Sequence, residues 1–132
     1  MSLTPLLEHT LELVVDRIGD PGPRVFERLF LEAPDLLALF SNDASGSVRG
    51  EMFLRALECL QDAAGAGRFA TGLVAAEHLS HQVYGVTTAQ FERFFEIIVD
   101  LFRDTLGADW TPELEAIWQL ALSRLRVGAA AR

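Results

Sequence analysis

The architecture of this chain can be worked out from one segment, which reads Glu77-His78-Leu79-Ser80-His81-Gln82-Val83-Tyr84-Gly85-Val86-Thr87-Thr88-Ala89-Gln90-Phe91. A helical pattern ends near His81 and is followed by a short corner at Tyr84-Gly85-Val86. Thr87 can cap the next helix, because Gln90 three residues later completes a reciprocal pair of cap hydrogen bonds. The segment therefore predicts two helices joined at a corner, with a histidine just before the corner.

The rest of the chain carries the same kind of helical pattern. Apolar residues recur at helical spacing along its length, and no sustained strict alternation predicts a strand. A long helix should run from Phe91 towards Gly107, and Pro34 should end an earlier helix and open a short helical turn through Phe40. A glycine-rich break at residues 65–67 is short enough to connect two helices. The sequence predicts one all-α domain over residues 1–132, without a linker or an internal repeat.

Composition excludes several classes of protein. The 132 residues are half hydrophobic, which is enough for one sizeable core. The net charge is -8 and every basic side chain is an arginine, so no basic stripe is present that could follow a nucleic-acid backbone. The single cysteine, Cys59, has no partner for a disulfide. No signal-peptide pattern and no bilayer-spanning apolar run occur, so we expect a cytoplasmic protein without a membrane or nucleic-acid partner.

Taken together, these patterns resemble the bacterial single-domain globins. The corner after His81 matches that family, and residues 106–113, with Trp118 beyond them, match its turn into the last helix. The family's second helix, its proline-led short helix and the phenylalanine that wedges against the haem are matched by Phe30, Pro34, Leu39 and Phe40. The resemblance extends from residue 7 to residue 125. It implies a globin fold, in which helices packed at steep angles surround a haem pocket.

The resemblance implies haem b as the cofactor and His81 as the axial ligand of its iron. The ten-residue spacing from His81 to Phe91 fits the family, and Ser80 or a nearby carbonyl could hold the second ring nitrogen. A lone histidine beside a turn is commonly a solvated helix-end residue, and His78, on nearly the same helix face, is the rival ligand. The other residues expected to contact the haem here are Val86, Phe91 and Phe95, with Phe40 at its edge.

On the far side of the haem, two registers are open. Counting back from the predicted axial histidine places Arg49 and Phe53 at the two distal positions, whereas counting forward from the wedging phenylalanine places Gly50 and Leu54 there. The helix pattern favours Arg49 and Phe53. In that register Phe53 shares a face with other apolar residues, whereas the alternative would turn Glu58 inward without a partner.

The gas-ligand pocket predicted from this register consists of Phe26, Arg49 and Phe53. Many bacterial globins carry a tyrosine at the first of these positions and a glutamine or histidine at the second. Phe26 and Phe53 cannot donate a hydrogen bond, so Arg49 is the polar candidate, although it could instead reach a haem propionate. The flavohaemoglobin pattern also has a tyrosine where this chain has Phe91, and nothing in the sequence supplies a flavin or nicotinamide domain.

We therefore expect a haem-binding globin that reversibly binds oxygen, nitric oxide or carbon monoxide for carriage, storage or sensing. We expect its class to be a cofactor-binding protein, and the sequence leaves open whether it is also an enzyme. Two alternatives stay open at this point. The rings of Phe26 and Phe53 could fill the pocket and leave a haem-free globin-fold interaction or sensor module. The chain could also be a haem enzyme that acts as a nitric oxide dioxygenase with an external reductase. The sequence does not indicate an oligomeric state.

Overall fold

The computed structural model describes residues 4–126, and every regular element in that range is helical. The elements are α1 (Thr4–Ile18), α2 (Gly22–Glu32), a 3₁₀ helix (Pro34–Phe40), α3 (Ser47–Ala64), α4 (Ala70–Val83), α5 (Thr88–Leu106), a second, short 3₁₀ helix (Gly107–Asp109) and α6 (Pro112–Leu125). The prediction of an all-α fold is confirmed. Within residues 4–126, none of the helices has both the length and the apolar character that crossing a bilayer requires.

Helix α5 packs against four other helices, α1, α2, α4 and α6. Its start is fixed by the predicted capping box: the Gln90 backbone N–H donates to the Thr87 hydroxyl, and the Thr87 backbone N–H donates to the Gln90 side chain. Its end is marked by Gly107, whose φ of 50° lies in the region that favours glycine. The sequence therefore sets both ends of the helix through local contacts.

A buried tryptophan fastens α6 to α1 and α5. Trp118 is fully buried, and its indole N–H donates to the hydroxyl of Thr10 in α1 over 3.2 Å. The ring of Trp118 meets the edge of Phe102 in α5, with 5.5 Å between the ring centroids. A buried indole N–H needs such a partner, because leaving it without one costs about 1–3 kcal/mol.

An ion-pair network ties α2 to α5 and α6 along one side of the molecule. Arg93 in α5 contacts Glu32 in α2 and Asp100, while Arg103 contacts Asp100 and Glu115 in α6. The paired hydrogen bonds from Arg103 lower the pKa of Glu115 to about 2. The network joins consecutive layers of the fold, although each pair is partly exposed and so contributes modestly to stability.

Helix α4 begins after the predicted glycine-rich break, and a side chain from the preceding helix caps it. The carboxylate of Asp62 in α3 accepts the backbone N–H groups of Arg68, Phe69 and Ala70 over 3.0, 3.1 and 2.8 Å. Burial raises the pKa of this carboxyl, but the three donors outweigh it, and the pKa ends below its usual value. Asp62 therefore attaches the start of α4 to the end of α3, and α4 carries both His78 and His81.

Candidate functional site

A cavity of about 560 Å³ lies between the first 3₁₀ helix, α3, α4, the corner after α4, and α5. Its walls are predominantly apolar. Its size falls within the range of about 300–1,000 Å³ that is common for small-molecule and cofactor sites. Predicted site residues that line it are Phe40, His81, Val86, Phe91 and Phe95. The structure thus brings together the 3₁₀ helix, the end of α4, the corner and the first half of α5 around one cavity.

His81 enters this cavity with one ring nitrogen already engaged. Its Nδ1 lies 2.6 Å from the backbone carbonyl oxygen of Glu77, one turn earlier in α4. Because a carbonyl oxygen can only accept, Nδ1 carries the hydrogen in the neutral ring and Nε2 keeps its lone pair. The ring is also held at an angle against Phe91, with 5.4 Å between the centroids. Ser80 was a candidate for holding this nitrogen, but its side chain is exposed and does not line the cavity.

His78, the rival ligand, is placed differently. It is buried, and its Nε2 shares a hydrogen bond of 2.9 Å with the hydroxyl of Thr88 at the start of α5. Its ring packs on Phe91 at 5.3 Å, and it does not line the cavity. His78 therefore joins α4 to α5, whereas His81 alone of the two lines the cavity, and its Nε2 has no hydrogen-bond partner among residues 4–126.

The structure does not bring Arg49 to the cavity. Its guanidinium contacts Asp43: Nε lies 3.0 Å from the carboxylate, and a terminal nitrogen lies 2.9 Å from the backbone oxygen. The same carboxylate also accepts the backbone N–H groups of Val48 and Arg49, so Asp43 caps α3. Burial raises the pKa of Asp43, and these donors then lower it below its usual value. Arg49 is thus committed to the loop before α3.

Phe53 is also absent from the cavity wall. It is 3 % exposed and packs on the start of α2, where a β-carbon added to Gly22 would lie 3.3 Å from its ring. The two residues of the alternative register do not line the cavity either, because Gly50 is exposed and Leu54 is 59 % exposed. The apolar face of α3 that includes Phe53 is buried in the structure, but it packs against other helices and does not line the cavity. The wall of the cavity is formed by a different face of α3, whose residues are Val48, Glu51, Met52, Arg55, Ala56 and Cys59.

Phe26 lies behind the cavity rather than in it. It is 2 % exposed, and its ring is surrounded by those of Phe30, Phe40 and Phe94, with centroids at 5.9, 5.6 and 5.3 Å. From α2, it is Leu29 that lines the cavity. Phe26 therefore supports the two wall residues Phe40 and Phe94.

Several wall residues were not predicted from the sequence. Cys59 is 3 % exposed, and burial raises the pKa of its thiol to about 11, so it is a neutral wall residue at pH 7. Arg55, Glu51 and Glu77 are the charged residues that line the cavity, and they lie on α3 and α4. Val48, Met52, Ala56 and Cys59 recur at helical spacing on this wall, but that spacing does not by itself show that the stripe borders a cavity.

Comparison with known proteins agrees with this geometry. The family model described as Globin matches residues 23–127, which is most of the chain. No curated protein and no solved structure matches it. The chain belongs to the globin family, and its all-α architecture is the globin fold. Proteins of this family typically bind haem and small diatomic gases.

Proposed function

We propose that the cavity holds haem b, that His81 is the axial ligand of its iron, and that the protein is a globin of the bacterial single-domain type that reversibly binds a diatomic gas. The observation that carries this proposal is the state of His81. Its Nδ1 is held by the Glu77 carbonyl at 2.6 Å, so in the neutral ring the lone pair of Nε2 is available to a ligand in a largely apolar cavity. Globins hold the haem iron through the nitrogen of a proximal histidine, and the cavity offers such a nitrogen in apolar surroundings.

The remaining wall residues fit the same cofactor. A haem presents a flat apolar ring with two carboxylates at one edge. The walls offer aromatic and aliphatic side chains, and the side chain of Arg55 lies on the wall without an ion pair or hydrogen bond to any other residue in 4–126. Arg55 is therefore the side chain best placed to receive a propionate. The bound iron would supply the centre to which a gas coordinates.

The gas side of the pocket should be poor in hydrogen-bond donors. Leu29, Met52 and Ala56 are apolar, and the Cys59 thiol is neutral and a weak donor. Arg49, the polar residue expected from the sequence, is engaged by Asp43. Discrimination between gases should therefore depend mainly on the size and shape of this wall.

One argument for a haem-free module loses its support. It rested on the rings of Phe26 and Phe53 filling the pocket, and neither ring lines the cavity, which remains open at about 560 Å³. A flat cofactor therefore has space in the cavity, and this geometry favours a haem-binding globin over a haem-free module.

Visible absorption of the purified protein after addition of haem tests the proposal. The wild type should bind one haem and give the ferrous spectrum of a histidine-ligated five-coordinate iron. His81→Ala should lose that spectrum and regain it when free imidazole is added, because the small ligand can replace the missing ring. His78→Ala is the matched control and should keep the spectrum. Loss in His78→Ala with retention in His81→Ala would move the ligand to His78, and a folded wild type that binds no haem would refute the proposal.

A further inference from the structure

Glu77 presents two different oxygen atoms to the same ring nitrogen of His81. Its backbone carbonyl oxygen lies 2.6 Å from Nδ1, and its carboxylate Oε2 lies 3.8 Å from the same atom. The side chain also lines the cavity. The carbonyl contact belongs to the helix backbone and would be present with any residue at position 77. The carboxylate is specific to glutamate, so it can be removed without disturbing the hydrogen bond.

The charge of this carboxylate is not cancelled by a basic neighbour. In residues 4–126, the only basic side chain within 4.0 Å of this carboxylate is His81, and it has no arginine partner. The cation on the same cavity, Arg55, lies on α3. Burial is the main cause of the raised pKa of the Cys59 thiol on the α3 wall, followed by the charges of Glu58 and Asp62, the opposing charge of Arg55 and, last, the charge of Glu77. His81 therefore has a negative charge behind its protonated nitrogen.

We propose that Glu77 is a positioning residue for His81, and that its carboxylate makes Nε2 a stronger electron donor and shifts a bound haem iron towards the ferric state. Carboxylates behind metal-ligating histidines orient the ring and raise its basicity. A more basic axial nitrogen and a nearby negative charge both stabilise the more positive oxidation state of the metal. This inference rests on the proposed function, because it acts through the haem ligand identified there.

The test replaces Glu77 by Gln, which keeps the size of the side chain and the backbone carbonyl but removes the charge. Glu77→Gln should shift the ferrous-to-ferric ratio at a fixed electrode potential towards ferrous by about threefold to tenfold, where tenfold corresponds to roughly 59 mV for one electron. The effect is expected to be modest, since the carboxylate is half-exposed and 3.8 Å from Nδ1. The stretching frequency of the iron–histidine bond should fall in the same variant.

The matched control is Glu51→Gln, which removes the same charge from the opposite wall of the same cavity. It should leave the iron–histidine frequency unchanged and shift the potential less. Equal shifts of the potential in both variants would overturn the inference, because the effect would then come from any negative charge near the cavity. No shift in Glu77→Gln would also overturn it, because the carboxylate would then have no effect on the iron. If Glu77→Gln proved unstable, Glu77→Asp would serve, since a shortened carboxylate retracts from Nδ1 and should give a smaller shift in the same direction.

Histidine nitrogen NMR of the haem-free protein separates the two proposals. His81 should be the Nδ1–H tautomer in the wild type and in Glu77→Gln, because the carbonyl contact is shared. An Nε2–H tautomer would remove the basis of the inference. A wild type with the expected tautomer that binds no haem would defeat the proposed function. Haem binding through His81 without a selective effect of Glu77 would defeat this inference alone.

Discussion

Replacing Asp62 by Ala tests how the helix that carries His81 is attached to the rest of the protein. The Asp62 carboxylate accepts three consecutive backbone N–H groups at the start of α4, from residues 68, 69 and 70. The first helical N–H groups have no partner inside the helix, so a side chain or water must accept them. Asp62→Ala removes the acceptor for all three and leaves α4 without the cap that α3 provides.

The structure allows the loss to be estimated. Arg68 and Phe69 are exposed, so water can replace the carboxylate at their N–H groups at little cost. Ala70 is fully buried, and its N–H would be left without an acceptor, which costs about 1–3 kcal/mol. This agrees with the roughly 0.5–2 kcal/mol measured when helix caps are replaced by alanine. We expect Asp62→Ala to lower the free energy of unfolding by about 2 kcal/mol, and Asp62→Asn, which keeps one acceptor oxygen, by about half as much.

Urea unfolding followed by far-ultraviolet circular dichroism measures this free energy directly. Glu58→Ala is the control, because Glu58 is an exposed acidic residue one turn earlier in α3 and should stay within about 0.5 kcal/mol of the wild type. The reasoning would be refuted if Asp62→Ala and Glu58→Ala had the same stability.

The pH dependence follows from the lowered pKa of Asp62. Since the folded pKa lies below the unfolded one, the stabilisation is complete above the ordinary carboxyl pKa and is lost as the pH falls through the folded value. The difference between the wild type and Asp62→Ala should therefore shrink below about pH 4.

Two further predictions concern acid stability and the support behind the cavity. Arg103 lowers the pKa of Glu115 to about 2, so the stability that this ion pair contributes should be present at neutral pH and lost between about pH 4 and 2. In acid unfolding, Glu115→Gln should abolish this pH-dependent loss, which should amount to only about 0.2–1 kcal/mol because the pair is partly exposed. Phe26→Tyr should place a hydroxyl among buried rings and lower the free energy of urea unfolding by about 1–3 kcal/mol. Phe94→Tyr, on the cavity wall, should cost less, and a Phe26→Tyr variant as stable as the wild type would mean that the hydroxyl reaches the cavity.

The half of the site around His81 was predictable because its determinants are local. The cap at Thr87, the corner at Gly85 and the spacing to Phe91 are all encoded within fifteen consecutive residues, and the structure forms the corresponding helix end, turn and helix start. What the pattern could not supply was the partner of Nδ1. Ser80 and nearby carbonyls were equally available in the sequence, and only the helix geometry shows that the Glu77 carbonyl is the one in contact.

The α3 residues that the sequence predicts for the wall opposite His81 lie on a different face of the helix from those that line the cavity. The reason is that a helix face can be apolar either because it packs against other helices or because it borders a cavity. The face with Phe53 is apolar because it packs against other helices, and its residues Phe53, Leu57 and Leu60 are 3, 9 and 0 % exposed. One residue back along the helix is a rotation of about 100°, so Met52 belongs to a separate face. Counting from landmarks on neighbouring helices could not choose between these faces, since an error of one residue exchanges them.

A cavity wall that reaches solvent is also hard to recognise from the sequence pattern. Its inner part must be apolar, as Ala56 and Cys59 are, whereas its outer part meets water and carries charge, as Arg55 and Glu51 do. Val48, on the same wall, is 53 % exposed because the space in front of it is open. A helical stripe that mixes apolar, charged and exposed positions is typical of a solvated face. Periodicity alone therefore identifies the face of α3 that packs against protein, and the face that borders the cavity can be recognised only when the neighbouring helices are in place.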